Sequence, residues 1–520
     1  MSNKVISYKK AANLIKDNAT IATTTFGLGG LSEQTFVGIE ERYAEEKHPK
    51  NITVVSSSGI GNNQSGRGLD HLVEEGLVKR LISGHVGSSP KMVEAIINNQ
   101  VESYLFPQGV ITQLYRSIAG KKPGVITKVG LKTYIDPRNE GAKGNQKATE
   151  DLVELINIGG EEWLKYNNFP IDVALVRGTY ADANGNVSIE RETGKLESLP
   201  LATAAHNSGG IVIAQVTKVV ENGSINPKAV SVPGALVDFV IVSEPEFHYQ
   251  TMGTHYEPGL SGEIRVPLEG IKPMEFNLRK IIARRAAMEL KPASLVNLGI
   301  GMPDGVSAVA SEEGLGDELT LTLELGAVGG TPAAGLDFGA AYNPEAIIDH
   351  HAMFDFYDGG GLDLTVLGLA QTDETGNINV SKFGPRVTGP GGFINISQNT
   401  QNIVFVGTFT VGGKAIVENG KLVITEQGKA KKFLKQVEQI TFSGEYATET
   451  NTNVLYVTER AVFDLYEGKM RLIEIAPGVD LQTDILDWMD FEPTIAEDLK
   501  EMEPDIFQEK WGKLKDIVLG

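Results

Sequence analysis

The chain has 520 residues, of which 41% are hydrophobic and 22% are charged, so it is long enough to bury a large core and to form two to four domains. Its net charge of −20 argues against sequence-independent binding of nucleic acid, because no basic field offsets the repulsion of phosphates. It has no cysteine, which excludes disulfides, thiolate nucleophiles and zinc–thiolate sites and leaves catalysis to oxygen or nitrogen groups.

The N-terminal residues "MSNKVISYKKAANLIKD" alternate charged with apolar positions and contain no continuous apolar stretch of the kind found in signal peptides. No run of eighteen apolar residues follows anywhere in the chain. We therefore expect a cytoplasmic protein without a membrane partner.

The first predicted elements recur later in the chain. "YKKAANLIKDNATIATTTFGLGG", from Tyr8, and "LRKIIARRAAMELKPASLVNLGIGMP", from Leu278, each predict a helix, a short break, a β-rich strand and a glycine turn. Further on, "DVALVRGTYADANGNVSIE" matches "DLTVLGLAQTDETGNINVS". Four residues keep their spacing between these two segments: Asp172, Asp182, Gly185 and Asn186 in the first, and Asp363, Asp373, Gly376 and Asn377 in the second.

This repeat predicts two homologous α/β halves with mainly parallel sheets covered by helices. We place the N-terminal half at residues 1–256, a linker rich in proline and glycine at 257–273, and the C-terminal half at 274–520. The last segment, from Glu492 to Gly520, predicts one or two amphipathic helices.

One position differs between the two halves in a suggestive way. The strand "LTLTLELG" carries Glu324 where an apolar residue is expected, and the equivalent strand "ITVVSSSG" has Ser57 at the aligned position. A residue needed only for folding should look alike in both halves, so the difference favours a functional role. The alternative is a carboxylate that pairs with a cation or points to solvent at the end of the strand.

Several familiar motifs are incomplete. "GLGG" and "GIGMPDG" do not complete G-x-G-x-x-G, and "VGGKAIV" lacks the glycine spacing and the Ser or Thr of a P-loop. The sequence has no serine-hydrolase elbow and no metal-binding pair of histidines, so we expect no metal. We interpret His350 and His351 as structural or solvent-facing. The basic residues around Arg67 and from Lys121 to Lys132 either hold phosphates or form solvated surface.

Taken together, "VNLGIGMP", "LELGAVGG", "YDGGGLDLTVLGLAQTDETGNINVSKFGPR", "GPGGFINISQNT" and "EIAPGVDLQTDIL" resemble the family I coenzyme A transferases, in the single-chain acetate and propionate group. The resemblance covers the chain from about Tyr8 to Pro493. It implies two Rossmann-like open α/β halves and a dimer or tetramer of identical chains. It also implies that Glu324 is the nucleophile. Many relatives carry Ser-Glu-Asn-Gly or Glu-Ser-Gly here, whereas this chain has Leu323, Glu324, Leu325 and Gly326, so the carboxylate and the glycine are kept and the departure concerns the substrate pocket.

The chemistry agrees with this resemblance. A carboxylate with an ordinary pKa of about 4.3 is ionised at neutral pH and needs no partner base to act as a nucleophile. One acyl bond is exchanged for another, so we expect no cofactor, and coenzyme A (CoA) is a substrate. The expected substrates are an acyl-CoA and a free short-chain carboxylic acid, which exchange CoA by a ping-pong mechanism through a glutamyl-CoA thioester.

Glycine turns supply backbone N–H groups that are suited to stabilising an oxyanion. The predicted catalytic residues are Glu324, Asn379, Gly391 and Gly392. The predicted CoA- or substrate-binding residues are Gly299, Ile300, Gly301, Met302 and Gly326. For Asn379 the alternative is a side chain that caps its own turn. For the whole chain, the alternatives are an acyl-CoA hydrolase on the same scaffold and a catalytically silent CoA or nucleotide sensor.

Overall fold

The computed structural model describes residues 4–267 and 273–520. The helices are α1 (Tyr8–Asn13), α2 (Glu33–Glu46), α3 (Pro90–Ile97), α4 (Gln108–Ala119), α5 (Ser198–Asn207), α6 (Leu278–Ala287), α7 (Gly305–Glu312), α8 (His350–Asp358), α9 (Phe393–Asn399), α10 (Gly444–Glu449) and α11 (Leu514–Leu519).

The strands before the predicted linker are β1 (Thr20–Thr23), β2 (Ile52–Ser56), β3 (Val78–Ser83), β4 (Glu102–Leu105), β5 (Val125–Thr127), β6 (Val153–Ile158), β7 (Glu161–Tyr166), β8 (Val173–Arg177), β9 (Tyr180–Asp182), β10 (Val187–Ser188), β11 (Ile211–Val216), β12 (Lys218–Val220), β13 (Val230–Val232) and β14 (Phe239–Val242).

The strands after it are β15 (Ser294–Leu298), β16 (Leu319–Thr322), β17 (Ala327–Val328), β18 (Thr331–Pro332), β19 (Ala341–Tyr342), β20 (Ala346–Ile347), β21 (Leu364–Gly368), β22 (Gln371–Asp373), β23 (Ile378–Asn379), β24 (Lys382–Phe383), β25 (Arg386–Val387), β26 (Asn402–Val406), β27 (Thr410–Val411), β28 (Lys414–Glu418), β29 (Lys421–Glu426), β30 (Ala430–Lys431), β31 (Phe433–Leu434), β32 (Asn453–Val457), β33 (Ala461–Tyr466), β34 (Lys469–Ile475) and β35 (Thr494–Glu501).

The chain divides into two compact units. Unit 1 contains residues 1–266, 323–355 and 382–395, and unit 2 contains residues 267–322, 356–381 and 396–520. This division differs from the one expected from the sequence, because two segments of the C-terminal half, 323–355 and 382–395, are part of unit 1. Residues 268–272 of the predicted linker lie outside the described residues, and the linker stays a prediction.

A seven-stranded parallel sheet forms the centre of unit 1, in the order β14-β11-β8-β1-β2-β3-β4. Its central strands are short runs of buried β-branched and apolar residues, such as "VALVR" in β8, as expected for a parallel sheet covered on both faces. The chain adds β1 to β4 in one direction and β8, β11 and β14 in the other, so the order reverses between β1 and β8. In such open sheets, ligands bind at the carboxyl ends of the strands.

Unit 2 has the same kind of sheet. Strands β16, β15, β21, β26 and β32 are parallel neighbours in that order, and β33, β34 and β35 extend the sheet beyond β32. Helices α6 and α7 cover a core that includes Ile281, Val296, Val306 and Val366. The prediction of an α/β protein built from two Rossmann-like open halves is therefore confirmed.

The repeat is visible in individual hydrogen bonds. Asp182 accepts hydrogen bonds from the backbone and the side-chain amide of Asn186, and Asp373 accepts the same pair of bonds from Asn377. Gly185 and Gly376 both have positive φ, of 88° and 78°, and each donates its N–H to the aspartate carbonyl of its own turn. The spacing shared by Asp182, Gly185 and Asn186 and by Asp373, Gly376 and Asn377 thus preserves one turn in both units.

The C-terminal segment contains one α-helix, within the prediction of one or two, but its first part is not helical. Residues 494–501 form β35, which pairs with β34, and only Leu514–Leu519 form an α-helix. "TIAEDLKE" is rich in residues that favour helices, but such propensities are weak, and pairing with the edge of a sheet overrides them here.

Candidate active site

Glu324 lies in a tight turn just beyond the end of β16. The turn is closed by hydrogen bonds from the N–H of Leu323 to the carbonyl of Ala327 (2.9 Å) and from the N–H of Gly326 to the carbonyl of Leu323 (2.9 Å). Gly326 has a φ of 112°, and a Cβ there would lie 2.1 Å from the carbonyl oxygen of Ile348. Glycine is therefore required at position 326, and the predicted strand-end position of Glu324 is observed.

The two leucines beside Glu324 anchor this turn. Leu325 is buried with Phe26, Leu196 and the partly buried Phe338, while Leu323 packs in a separate apolar cluster. A Cβ on Gly194 would lie 2.9 Å from Cγ of Leu325, so the chain leaves room for the leucine there. Burial of a leucine side chain stabilises a fold by about 1.5–3 kcal/mol. These two leucines thus fix the turn, and the Glu324 side chain between them stays only partly buried.

The predicted "GPGG" turn, residues 389–392, lies directly against this glutamate. A Cβ on Gly392 would be 3.1 Å from both Cδ and Oε1 of Glu324, and 3.2 Å from the ring of Phe354. Any side chain at position 392 would therefore press on the carboxylate. Gly392 donates its N–H to no acceptor within the described residues.

Gly391 has a different part in the same turn. Its N–H donates to the carbonyl of Gly84 (2.8 Å), and its carbonyl accepts from the N–H of Gln108 (2.9 Å). These partners follow β3 and β4, so the turn is held at the carboxyl ends of two strands of the unit 1 sheet. Of the two glycines predicted to donate to an oxyanion, Gly391 uses its N–H to hold the fold and Gly392 does not.

The ionisation of Glu324 differs from the sequence argument. Burial raises its pKa to about 7, and the charge of His350 acts in the opposite direction. The carboxylate is therefore ionised in only about half of the molecules at pH 7, whereas an ordinary glutamate is almost fully ionised. Desolvation of this kind is common at functional sites.

Asn379 lies in β23 of unit 2 and is fully buried. Its side-chain N–H donates to Oε1 of Gln371 (2.7 Å), and its side-chain oxygen accepts from the N–H of Ser381 (3.0 Å). These local bonds are those expected if the side chain stabilises its own turn.

The "GIGM" turn also belongs to unit 2. Gly299 donates its N–H to the carbonyl of Val366 (2.9 Å), and Gly301 donates to the carboxylate of Asp304 (3.1 Å). The side chain of Ile300 is exposed, and Met302 begins a short 3₁₀ helix. The structure thus brings Glu324, Gly326, Gly391 and Gly392 together in unit 1. It places Gly299, Ile300, Gly301, Met302 and Asn379 in the other unit.

Three residues near the turn were not predicted as site residues. Gln108 and Glu197 are buried, and His350 is fully buried and contacts both of them. His350 therefore does not face solvent, which was one of the two predicted options. Gln108 directly follows the end of β4 in "FPQG", and the rule that sites form at strand ends could have identified it.

The basic stretches show how their charge is used. Arg67 donates from Nε (2.9 Å) and Nη2 (2.6 Å) to the carboxylate of Glu33, so its charge is already paired. Lys128 lies 2.9 Å from the carboxylate of Glu161.

Across residues 4–267 and 273–520, no cluster of His, Asp and Glu side chains is arranged to hold a metal ion. In the same ranges, no helix is both long and apolar enough to span a bilayer.

Comparison with known proteins gives consistent matches. The family model described as coenzyme A transferase matches residues 5–243. The caffeate CoA-transferase of Acetobacterium woodii is 51% identical over 523 residues, covering 99% of each chain. The acetate CoA-transferase YdiF of Escherichia coli K12 is 41% identical over 505 residues, covering 97% of this chain and 95% of the relative.

A solved structure agrees with these sequences. The acyl-CoA transferase YdiF of E. coli O157:H7, crystallised as a thioester complex with CoA, matches with a TM-score of 0.91 at 39% identity, covering 98% of this chain and 96% of the other. The chain is thus an enzyme for which CoA is a substrate, and the alternative of a silent sensor is not supported. It belongs to the coenzyme A transferase family, whose members move CoA between an acyl-CoA and a free carboxylic acid.

Proposed function

We propose that Glu324 is the nucleophile of this CoA-transferase and that the Gly392 N–H is an oxyanion donor. The observation that carries the proposal is the approach of the Glu324 carboxylate to within 3.1 Å of the Cβ position of Gly392, beside an N–H without an acceptor in the described chain. A nucleophile next to a preorganised donor is the arrangement that acyl transfer requires.

The reaction then proceeds through two covalent intermediates. A carboxylate oxygen of Glu324 attacks the thioester carbonyl of the acyl-CoA, the C–S bond breaks, and CoA leaves as a thiolate. The thiolate attacks the side-chain carbonyl of the resulting mixed anhydride, which releases the first carboxylate and leaves CoA bonded to Glu324 as a thioester. An incoming carboxylate reverses both steps. The YdiF thioester complex with CoA supports this proposal by analogy.

The remaining predicted residues enter the proposal with narrower roles. The N–H groups of Gly391 and Gly326 already donate to backbone carbonyls, so they are not proposed as oxyanion donors. These glycines are proposed to shape the two turns that face each other. Gly299, Ile300, Gly301 and Met302 are proposed to bind CoA or substrate. Asn379 is proposed to contribute through the local structure of β23, given its bonds to Gln371 and Ser381.

The proposed substrates are short-chain acyl-CoA donors and short-chain carboxylate acceptors. The two similar relatives are named for acetate and for caffeate, which is aromatic, so acceptor size has to be measured. With acetyl-CoA as the donor, we expect propionate and butyrate to be faster acceptors than caffeate. An apolar pocket distinguishes a single methylene by only about 1–3 kcal/mol, so small differences among aliphatic acids are expected. A clear preference for caffeate would contradict the short-chain assignment.

The proposal also covers the setting of the enzyme. We propose that transfer needs no metal, nucleotide or redox cofactor, that the chain forms a homodimer or homotetramer, and that it works in the cytoplasm. Activity after dialysis against a chelator tests the first point, light scattering coupled to gel filtration tests the second, and cell fractionation tests the third.

The decisive experiment maps the covalent intermediate. The protein is incubated with acyl-CoA in the absence of an acceptor, treated with borohydride or hydroxylamine, digested and analysed by mass spectrometry. We expect modification of Glu324, and of no other carboxylate, in the wild type and none in Glu324→Gln. Glu324→Asp should be severely impaired, because a carboxylate withdrawn by one methylene loses the geometry of attack. Modification of a different carboxylate would remove Glu324 from the mechanism. Release of free CoA at full rate without an acceptor would indicate a hydrolase.

A further inference from the structure

A line of buried polar groups ends at the candidate active site. Oγ of Ser57 donates to Oε1 of Glu197 (2.7 Å), and Oε2 of Glu197 lies 2.7 Å from Nδ1 of His350. Nε2 of His350 lies 2.8 Å from the side-chain amide of Gln108. Ser57, Glu197 and His350 are fully buried and Gln108 is almost so, all within unit 1. Burying such groups is costly unless each finds a partner, and here each of them does.

The arrangement is not that of a serine hydrolase. In a catalytic triad, the serine hydroxyl donates to the histidine, and the carboxylate binds the far side of the ring. Here the serine and the histidine both bind the carboxylate of Glu197, and the second ring nitrogen faces an amide. The serine is therefore not bonded to a histidine, and the three residues do not form a triad.

The contacts fix the orientation of the His350 ring. A carboxylate at Nδ1 favours a proton on that nitrogen and leaves Nε2 to interact with Gln108. With both nitrogens engaged, the ring has one preferred position. Its centroid lies 5.3 Å from that of the Phe354 ring, one turn along α8.

Gln108 and Phe354 are two of the neighbours of the turn that faces Glu324, and Gly84 is another. The backbone N–H of Gln108 donates to the carbonyl of Gly391 (2.9 Å), and the Phe354 ring lies 3.2 Å from the Cβ position of Gly392. His350 thus contacts Gln108, which is bonded to Gly391, and Phe354, which packs beside Gly392.

We propose that Glu197 and His350 are positioning residues for CoA transfer, which fix Gln108 and Phe354 and so hold the Gly391–Gly392 turn against Glu324. The inference rests on the proposed role of Glu324 as nucleophile. The proposal also gives Ser57 a role. This serine aligns with Glu324 in the first half of the chain, and its hydroxyl holds the carboxylate of Glu197.

Four variants test the proposal. Glu197→Gln keeps the size of the side chain and removes its charge. His350→Asn keeps a donor near Glu197 but loses the contact with Gln108. His350→Gln reaches toward Gln108 but loses the contact with Glu197. Ser57→Ala removes one hydrogen bond from Glu197 and is the mildest change. His71→Asn is the control, because His71 is also buried in unit 1 and lies 2.6 Å from the carboxylate of Glu40.

The measurements separate positioning from folding. We expect kcat to fall about ten- to a hundredfold in Glu197→Gln and His350→Asn, with KM for acyl-CoA changed by less than about threefold, because misplacement of the turn acts on the transition state. His350→Gln should retain more turnover than His350→Asn, and Ser57→Ala should lose the least. His71→Asn should lower the melting temperature and leave kcat within about twofold of wild type.

Thioester mapping on the same variants distinguishes the possible failures. If wild type forms the thioester on Glu324 and the variants turn over like His71→Asn, the positioning proposal is wrong and Glu324 keeps its role. The positioning proposal would also be overturned if, in all five variants, the decrease in kcat were proportional to the decrease in melting temperature. If wild type carries the thioester on another residue, the proposed nucleophile fails instead.

Discussion

Replacing Glu324 by glutamine should stabilise the protein more at alkaline pH than at acidic pH. Burial raises the pKa of the carboxyl from 4.5 to about 7, so between these values the unfolded chain releases a proton that the folded chain keeps. Wild type therefore has a contribution to stability that is fully present below about pH 4.5 and is lost as the pH rises through 7. A glutamine at this position cannot ionise, so the variant does not lose this contribution to stability as the pH rises.

The size of the effect follows from the shift. A change of 2.5 pKa units, from 4.5 to 7, corresponds to about 3 kcal/mol, of which about 2 kcal/mol falls between pH 5 and pH 8. For a chain of 520 residues, an unfolding entropy of about 2.1 cal/mol/K per residue converts this into about 2 °C in melting temperature.

Calorimetry at pH 5, 6, 7 and 8 provides the assay. The melting temperature of Glu324→Gln minus that of wild type should rise by about 2 °C from the first pH to the last. Glu94→Gln, at an exposed position on α3, reports the effect of removing one surface carboxylate. A difference that is the same at every pH, or one that falls as the pH rises, would refute the reasoning.

Three further predictions concern turnover. The kcat/KM of wild type should rise between pH 6 and pH 8 with a midpoint near 7, because only ionised Glu324 attacks the thioester, and a flat profile measured with a fixed acyl-CoA would contradict this. Gly392→Val should lower kcat strongly with little change in melting temperature, because its side chain presses on Glu324, whereas Gly391→Ala, whose Cβ approaches only Gln108 at 3.7 Å, should keep more activity despite the positive φ. Asn379→Ala should lower the melting temperature and reduce kcat only a few-fold, since its amide is bonded to Gln371; a loss of about a hundred- to a thousandfold would restore it as an oxyanion donor.

The sequence was informative where local pattern and chain topology agree. Asp182 and Asp373, each followed three residues later by a glycine, were predicted to be equivalent from spacing alone, and they accept the same hydrogen bonds. Glu324 was identified because a carboxylate interrupts an apolar strand, and the structure places it at a strand end. Each signal lies within a short stretch of sequence that can be compared between the two halves.

Contacts over long sequence distances were not predictable. His350 follows Gln108 by 242 residues and Glu197 by 153, and no periodicity links them. The pKa of Glu324 is raised by the packing around it, which no local pattern in the sequence shows. The assignment of residues 323–355 to unit 1 also depends on contacts between residues far apart in the sequence, such as those of His350, and the repeat does not predict it.

The packing of segments 323–355 and 382–395 in unit 1 has a consequence for dividing the protein. Cleavage within residues 268–272 would produce an N-terminal fragment that lacks the residues contacting Gln108 and Glu197, since His350 and Gly391 lie on the other fragment. The two pieces should stay associated after such a cut, because segments 323–355 and 382–395 remain packed in unit 1. The N-terminal fragment expressed alone would expose the surface that these segments cover. A split version of this enzyme therefore requires co-expression of both fragments, and reconstitution of activity would report that the segments have docked.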